Sequence, residues 1–330
     1  MDVLVTGGAG YIGSQTVYTL IEHGFSPVVI DDLSTGKKSL LPKDTPFYEG
    51  RISQPGLLDK IFEKHKIEAV MHFAGSIMVA ESFEKPLFYF ENNVTQTLRL
   101  LEACRKHKVS YFVNSSSAAI YGLPDVIPIS EDTVKKPINP YGTSKLMAEM
   151  LLSDLSASFA DDMKTAVLRY FNVAGADPQG RTGECPPISS HLVKIACETI
   201  LGKRDHIKMF GQDYPTQDGT AIRDYIHVVD LAEAHIAALK HLQKKNKNIT
   251  LNCGYGYGFS VQQVLSCVEK VAGKSLNIIH ADRRRGDPPE LVADISALRK
   301  TLDWRPKHDS LEEIVETALA WEKGLLDQQT

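Results

Sequence analysis

Tyr141 and Lys145 stand four residues apart in "NPYGTSKLMAEM", just after a proline. At that spacing two side chains share one face of a helix. A free phenol has a pKa of about 10 and is a poor base near neutrality. A neighbouring ammonium favours the phenolate, as does any second cation brought into the site. Lowering the pKa by about three units takes roughly 4 kcal/mol of differential interaction, which two cations in a dry cleft can supply. The spacing therefore predicts that Lys145 readies Tyr141 to exchange a proton. Upstream, "NSSSAAIYG" ends a strand in serines. Open α/β sheets bind ligands at the carboxyl ends of their strands, so Ser117 is placed to hydrogen-bond the same substrate oxygen as Tyr141. Tyr-x-x-x-Lys alone arises by chance in many helices; its weight comes from the company it keeps.

That company begins at the N-terminus. "VLVTGGAGYIGS" reads as a strand, a glycine turn and a helix, with Gly7, Gly10 and Gly13 three apart and Gly8 to Gly13 fitting G-x-G-x-x-G. Such glycines permit the tight turn, the approach of backbone to a pyrophosphate and the packing of helix on strand. The helix N-terminus then presents free N–H groups to the phosphates. The next strand ends "VVIDD", and Asp31 lies 18 residues after Gly13, close to the ~20 expected of an acid binding a ribose 2′-hydroxyl. A carboxylate there repels a 2′-phosphate, which favours NAD over NADP. The oxidised nicotinamide would be the second cation that Tyr141 needs.

Positioning these groups requires a scaffold. Strand-like runs ("VLVT", "PVVID", "AVMHFA", "YFVNSS", "TAVLRYFN") alternate with helical patterns at 12–23, 56–66, 86–107 and 141–160. Strands that are apolar throughout are buried on both faces, as in a parallel sheet covered by helices. The expected fold is α/β, a doubly wound parallel sheet of Rossmann type with a smaller mixed α/β C-terminal lobe. Residues 1–172 would bind the dinucleotide, helped by segments returning from about 228–255, and 173–330 would mainly hold substrate. Residues 173–190, rich in Gly and Pro, read as a long functional loop. Helices follow near 190–201, 231–244, 260–272 and 310–325, with strands near 207, at "ITLNC" and near 276.

Bulk properties narrow the function classes. The 330 residues are 43% hydrophobic and 24% charged, with net charge −4. That balance offers no general attraction to nucleic acid or anionic membrane. The five scattered cysteines form no Cys-x-x-Cys pair, nothing has metal-ligand spacing, and no leader or span is evident, so a reduced, cytoplasmic protein without metal is expected. His72 and His227 sit among apolar residues and read as satisfied core histidines.

The motifs "TGGAGYIGS", "HFAG", "ENNV", "SSSAAIYG", "PYGTSK", "RYFNVAGA", "FGQDYPTQDGTAIRDYIHV" and "RRRGDPPELVAD" follow one another almost end to end. In this order they resemble the extended short-chain dehydrogenase/reductase family and, within it, the UDP-glucose 4-epimerases. The resemblance implies that Tyr141 takes the proton of a sugar C4 hydroxyl, with Ser117 and Lys145 as its partners, while hydride passes to NAD. The 4-keto sugar then turns and takes the hydride back on its other face. It assigns the cofactor to Gly7, Gly10, Tyr11, Ile12, Gly13, Asp31, Asp32 and Ile52. Phe73, Ala74, Gly75, Asn92, Ser115, Tyr141, Lys145 and Tyr170 complete that set. The UDP-hexose falls to Ser117, Tyr141, Phe171, Asn172, Leu192, Lys208, Phe210, Arg223, Arg284, Asp287 and Leu291. It also implies a homodimer joined by the helices at 86–107 and 141–160.

Three positions depart from the family pattern. Arg51 replaces an aspartate that reads the adenine edge, and Ile77 replaces a cofactor-binding lysine found in some relatives, so NAD is expected to be held less permanently. Leu291, at the gate of the sugar pocket, is intermediate in size and leaves UDP-N-acetylhexosamines open as further substrates. The rival assignments are a net NAD-dependent sugar-nucleotide reductase or dehydrogenase on the same scaffold, and a non-catalytic NAD sensor. A 4,6-dehydratase is disfavoured, because Ser117 is followed by Ala118 and Ala119, not by an acid/base pair.

Overall fold

The computed structural model describes residues 1–158, 163–284 and 286–327. The first half runs β1 (Asp2–Thr6), α1 (Tyr11–Glu22), β2 (Ser26–Asp31), β3 (Phe47–Glu49), α2 (Leu57–Lys64), β4 (Ile67–His72), α3 (Val79–Glu84), α4 (Pro86–Phe90), α5 (Gln96–Lys106), β5 (Tyr111–Ser117), α6 (Pro140–Ser158) and β6 (Lys164–Tyr170). The second half holds β7 (Asn172–Ala174), α7 (Leu192–Ile200), β8 (Ile207–Phe210), β9 (Ile222–Arg223), β10 (Tyr225–His227), α8 (Val228–Lys245) and β11 (Ile249–Cys253). It ends with β12 (Phe259–Ser260), α9 (Val261–Ala272), β13 (Ile278–Ala281), β14 (Glu290–Leu291), α10 (Ser296–Thr301) and α11 (Leu311–Asp327).

Seven strands form one parallel sheet in the order β3-β2-β1-β4-β5-β6-β11. The α/β expectation thus holds, and β11 returns from the second half to pair with β6. Along each strand successive side chains point to opposite faces. Val3, Val5, Val29, Met71, Val113 and Leu168 enter one buried cluster. Their neighbours Leu4, Val28, Ile30, Val70, Phe112 and Val167 enter another. With both faces buried, both alternating sets must be apolar, which is why the strands read as unbroken apolar runs. The strand order reverses between β1 and β4, and ligands enter such sheets at that switch point, beyond the carboxyl ends of the strands. The glycine turn after β1 and the serines ending β5 both lie at that edge.

The structure corrects several sequence expectations. The helix expected at 86–107 is α4 and α5 joined by a π-helical turn at Glu91–Thr95. That turn directs the Asn93 side chain inward, a use that a uniform apolar period does not reveal. Strand β3 and the two- or three-residue strands β7, β9, β10, β12 and β14 are too short to show a period. The same holds for helices α3 and α10. Strand β13 begins at Ile278, two residues after the position expected. The expected extension of α6 to residue 160 lies outside the described residues.

Space at the glycine turn is tightly constrained. Gly7 has φ +68°, and a Cβ there would sit 2.6 Å from the Ala74 nitrogen. A Cβ on Gly13 would come within 2.2 Å of the Gly7 oxygen and 2.8 Å of the Gly8 Cα. These neighbours are backbone and cannot swing away. Gly13→Ala is expected to lose at least about 2 kcal/mol of stability in urea unfolding; an unchanged midpoint would contradict the close approach of α1 to the turn.

Candidate active site

The start of α6 is built to bring Tyr141 to the end of β5. Pro140 occupies the first helical position, and the Asn139 side chain accepts a hydrogen bond from the Gly142 N–H at 2.7 Å. Both are helix-start chemistry. A Cβ on Gly142 would lie 2.5 Å from the Ala119 oxygen, so only glycine lets the helix rest on the turn that follows Ser117. Tyr141 is 9% exposed and hydrogen-bonds Ser117. Lys145 is 7% exposed, and its Nζ donates to the Ser115 carbonyl at 3.0 Å.

The three catalytic candidates therefore converge, but the electrostatics differ from the expectation. Burial raises the Tyr141 pKa, and the Ser117 hydrogen bond opposes that rise. Burial pushes Lys145 down to about 8, with Glu149 pulling it back up. Lys145 by itself does not make Tyr141 a phenolate. Desolvation of the phenol outweighs the neighbouring ammonium, whose hydrogen bond is spent on the Ser115 carbonyl. A further positive charge in the cleft would favour the phenolate.

The residues at the glycine turn fit a dinucleotide. The close contacts at Gly7 and Gly13 leave no room for side chains where a pyrophosphate would lie. No side chain caps α1 at Gly10, so the N–H groups of its first turn, at Tyr11, Ile12 and Gly13, remain available to an anion. The Tyr11 hydroxyl donates to the Gly175 carbonyl at 2.6 Å, which ties the turn to the loop after β7. Asp31, at the carboxyl end of β2, accepts from the Ala9 and Leu33 N–H groups at 2.9 and 2.8 Å. Burial raises its pKa, and these bonds oppose the rise. Asp32 binds the Ser34 N–H at 3.0 Å.

The departures are legible in space. Arg51 lies 3.9 Å from Asp32 and donates to Asn92 at 3.2 Å, joining the two sides of the crevice's outer end. Ile77 is exposed. Ile52 is buried in the core beside β2 and β4. Ala74 packs on that cluster and Phe73 on the one across the sheet. A Cβ on Gly75 would lie 3.7 Å from Lys145 Nζ, so the turn after β4 runs beside Lys145. Tyr170 is buried, and its hydroxyl is held by His235 at 2.5 Å and by Ser115. His72 is neutral, its pKa lowered to about 3 by burial, and bridges Thr6 and Thr97 at 2.7 and 2.8 Å. His227 likewise bonds Thr317 at 3.0 Å and the Val229 N–H at 3.2 Å. Both are satisfied core histidines.

The substrate candidates form two groups. Asn172 and Leu192 line one small cavity with Tyr225, next to the partly buried Phe171. Across from it, Leu291 pairs in register with Arg223. Arg223 is ion-paired with Asp287 and donates to the Pro288 carbonyl at 2.7 Å. The Arg284 guanidinium lies 4.0 Å over the Phe210 ring. Lys208 is exposed on β8, two residues from Phe210 and on its face. Arg283, beside Arg284 in the basic run, binds Asp213 at 2.7 Å and covers Tyr214. Arg285 lies outside the described residues.

The NAD dependent epimerase/dehydratase family model matches residues 3–254. The chain belongs to this family. It is 51% identical over 323 residues to a UDP-glucose 4-epimerase of Azospirillum brasilense, across 98% of this chain and 92% of that relative. The solved UDP-glucose 4-epimerase of Bifidobacterium longum, in complex with NAD+ and UDP, superposes with a TM-score of 0.93 at 36% identity over 98% of both chains. The UDP-Glc/GlcNAc 4-epimerase of Campylobacter jejuni gives 0.85 at 43% identity, over 98% of this chain and 99% of the other.

Sequence reasoning missed several residues of this family member's site. Asn93, not its neighbour Asn92, is buried; it binds the Ser76 N–H at 2.7 Å and Ser144 at 2.9 Å, joining the π-turn to α6. Asp224 accepts from the Tyr255, Gly256 and Ala293 N–H groups and thereby holds the strands that carry Arg223 and Leu291. Glu149, four residues after Lys145, shares its helix face, and that spacing was visible.

Lys145 carries a thermodynamic cost. Its folded pKa of about 8 lies below the ordinary 10.5, so between those values the unfolded chain binds more protons and stability rises with pH. At pH 7 the penalty for burying the ammonium is fully present. Lys145→Met is expected to gain about 1–3 kcal/mol at pH 7, a gain that shrinks as pH rises from 8 towards 10.5. Urea unfolding across that range checks it, and a variant less stable at pH 7 would contradict it.

Proposed function

We propose that this chain is a NAD-dependent UDP-glucose 4-epimerase, interconverting UDP-galactose and UDP-glucose through a 4-keto sugar. The observation that carries this reading is the convergence of Ser117, Tyr141 and Lys145 beside the glycine turn. Ser117 holds the C4 oxygen and Tyr141 takes its proton, then returns one to the same oxygen after the sugar has turned. Lys145 keeps a positive charge within the buried cleft. NAD, when bound, supplies hydride exchange at C4 and a cationic ring that favours the Tyr141 phenolate. Gly7, Gly10, Tyr11, Ile12, Gly13 and Asp31 would hold its adenosine and pyrophosphate, with Asp32, Ile52, Phe73, Ala74, Gly75, Asn92, Ser115 and Tyr170 around it. Phe210, Arg223, Arg284 and Asp287 anchor UDP, with Phe171, Asn172, Leu192 and Lys208 beside them. Only the nucleotide is gripped, and the hexose is left to rotate.

Residues 1–172 with the returning 228–255 segment form the cofactor lobe, and the rest mainly the sugar-nucleotide lobe. Leu291 borders the sugar, and the Campylobacter relative, named for both UDP-Glc and UDP-GlcNAc, supports acceptance of N-acetylhexosamines as a second activity. The five unpaired thiols support a reducing, cytoplasmic setting. No described helix is long and apolar enough to cross a membrane.

We also assign a homodimer. Leu87 is 81% exposed, and Phe88, Leu98, Met147 and Met150 also lie open to solvent on α4, α5 and α6. An apolar patch of this kind marks an association surface. Sedimentation at micromolar concentration should give a dimer, and a monomer would end the assignment. Tyr141→Phe should lower kcat for UDP-galactose by roughly a thousandfold with little change in KM. A variant that turned over like the wild type would remove Tyr141 from the chemistry.

A further inference from the structure

β5 ends in three consecutive serines, and each engages one of three successive turns of α6. Ser117 hydrogen-bonds Tyr141. The Ser115 carbonyl accepts from Lys145. Ser116 Oγ donates to the Glu149 carboxylate. Tyr141, Lys145 and Glu149 stand four residues apart and so share one helix face. The third rung has no place in the chemistry described above, yet it is the most heavily braced.

Glu149 is 9% exposed and its partner Arg169 is 5% exposed. Arg169 holds it with two parallel bonds, Nε at 3.0 Å and Nη2 at 2.7 Å. From the other side Arg169 donates to the Tyr121 hydroxyl at 2.8 Å and the Glu131 carbonyl at 3.0 Å. Tyr121 in turn donates to Asn252 on β11 at 2.7 Å. A buried ion pair is weak evidence of a gain in stability, because desolvating both charges offsets their attraction. Its location is more telling. It fastens the serine-bearing end of β5 to the helix that carries the tyrosine and lysine, and it puts a fixed carboxylate one turn from a buried ammonium.

We infer that Glu149 is a positioning residue for the proposed reaction. With Arg169 it clamps the serine end of β5 against α6 and sets a negative potential at Lys145. The inference rests on the roles given above to Tyr141 and Lys145. The groups facing Lys145 are few. Its own helix contributes Tyr141 and Glu149. β4 contributes His72, which is neutral and held between two threonines. β5 contributes the Ser115 carbonyl, and β6 contributes Arg169 behind Glu149. Glu149 is therefore the one negative charge among them that favours the ammonium, in opposition to burial.

Glu149→Gln keeps the shape and one acceptor oxygen but removes the charge. The pH profile of kcat for UDP-galactose should then have its alkaline limb moved to lower pH by about one unit. At neutral pH kcat should fall about tenfold, with KM within about twofold of the wild type. A purely structural role would not move the limb. If the single variant fails to fold because Arg169 is left unpaired, Glu149→Gln with Arg169→Gln removes both charges and should still move the limb downward. An active wild type and a folded variant with the same alkaline limb would overturn the role of Glu149, whatever the change in kcat. A wild type with no epimerase turnover would instead overturn the reaction assignment, and this role with it.

Discussion

The hydrogen bond from the Lys145 ammonium to the Ser115 carbonyl is the contact on which the rest of the site depends. An ammonium in a cleft closed to water is unfavourable, and its pKa falls accordingly. Holding it there fixes which face α6 must turn to the sheet, and hence where Tyr141 must stand. It also requires that β5 end in backbone and hydroxyl groups, not in a bulky side chain. The serines ending β5, the capped start of α6 and the close approach at Gly142 are three parts of this one arrangement. Burial raises the Tyr141 pKa as it lowers that of Lys145, so the neutral phenol is favoured in the folded site. On the proposed mechanism, further positive charge entering the cleft would favour the phenolate and so couple proton transfer to an occupied cofactor site.

The glycine turn sets the other boundary. Backbone meets backbone at Gly7 and Gly13 with no space for a methyl group, so α1 starts hard against β1 and directs its N-terminus into the crevice at the sheet's switch point. The two constraints flank one central strand: β1 delivers the turn, β5 delivers the serines, and β4 runs between them. Hydride and proton chemistry thus share one edge. The second half of the chain adds the paired strands β9 and β14, which carry Arg223 and Leu291 and are held by the buried carboxylate of Asp224, whose pKa burial raises to about 6.

Much of this was legible in the sequence for identifiable reasons. The sheet was readable because both its faces are buried, so each strand is apolar throughout. Gly7, Gly13, Asp31, Tyr141 and Lys145 were readable because their chemistry depends on spacing along one strand, turn or helix. Contacts between distant segments were not readable. Nothing local tells Asn93 from Asn92; only the π-turn decides which faces inward. The pairing of Glu149 on α6 with Arg169, twenty positions away on β6, comes from the fold. The engagement of Arg283 by Asp213 and Tyr214 is likewise invisible in the basic run where it stands. The depressed lysine and raised phenol also lay beyond sequence, because both follow from burial.

In the proposed reaction one sugar gives up its C4 hydrogen and receives it back within the same closed site. The most direct test is to supply UDP-galactose deuterated at C4 and to examine the UDP-glucose formed by mass spectrometry and NMR. Retention of the label at C4, with no build-up of reduced cofactor, is the predicted result. Loss of the label from C4, or reduced cofactor accumulating in step with sugar consumed, would contradict the account and make the chain a net dehydrogenase.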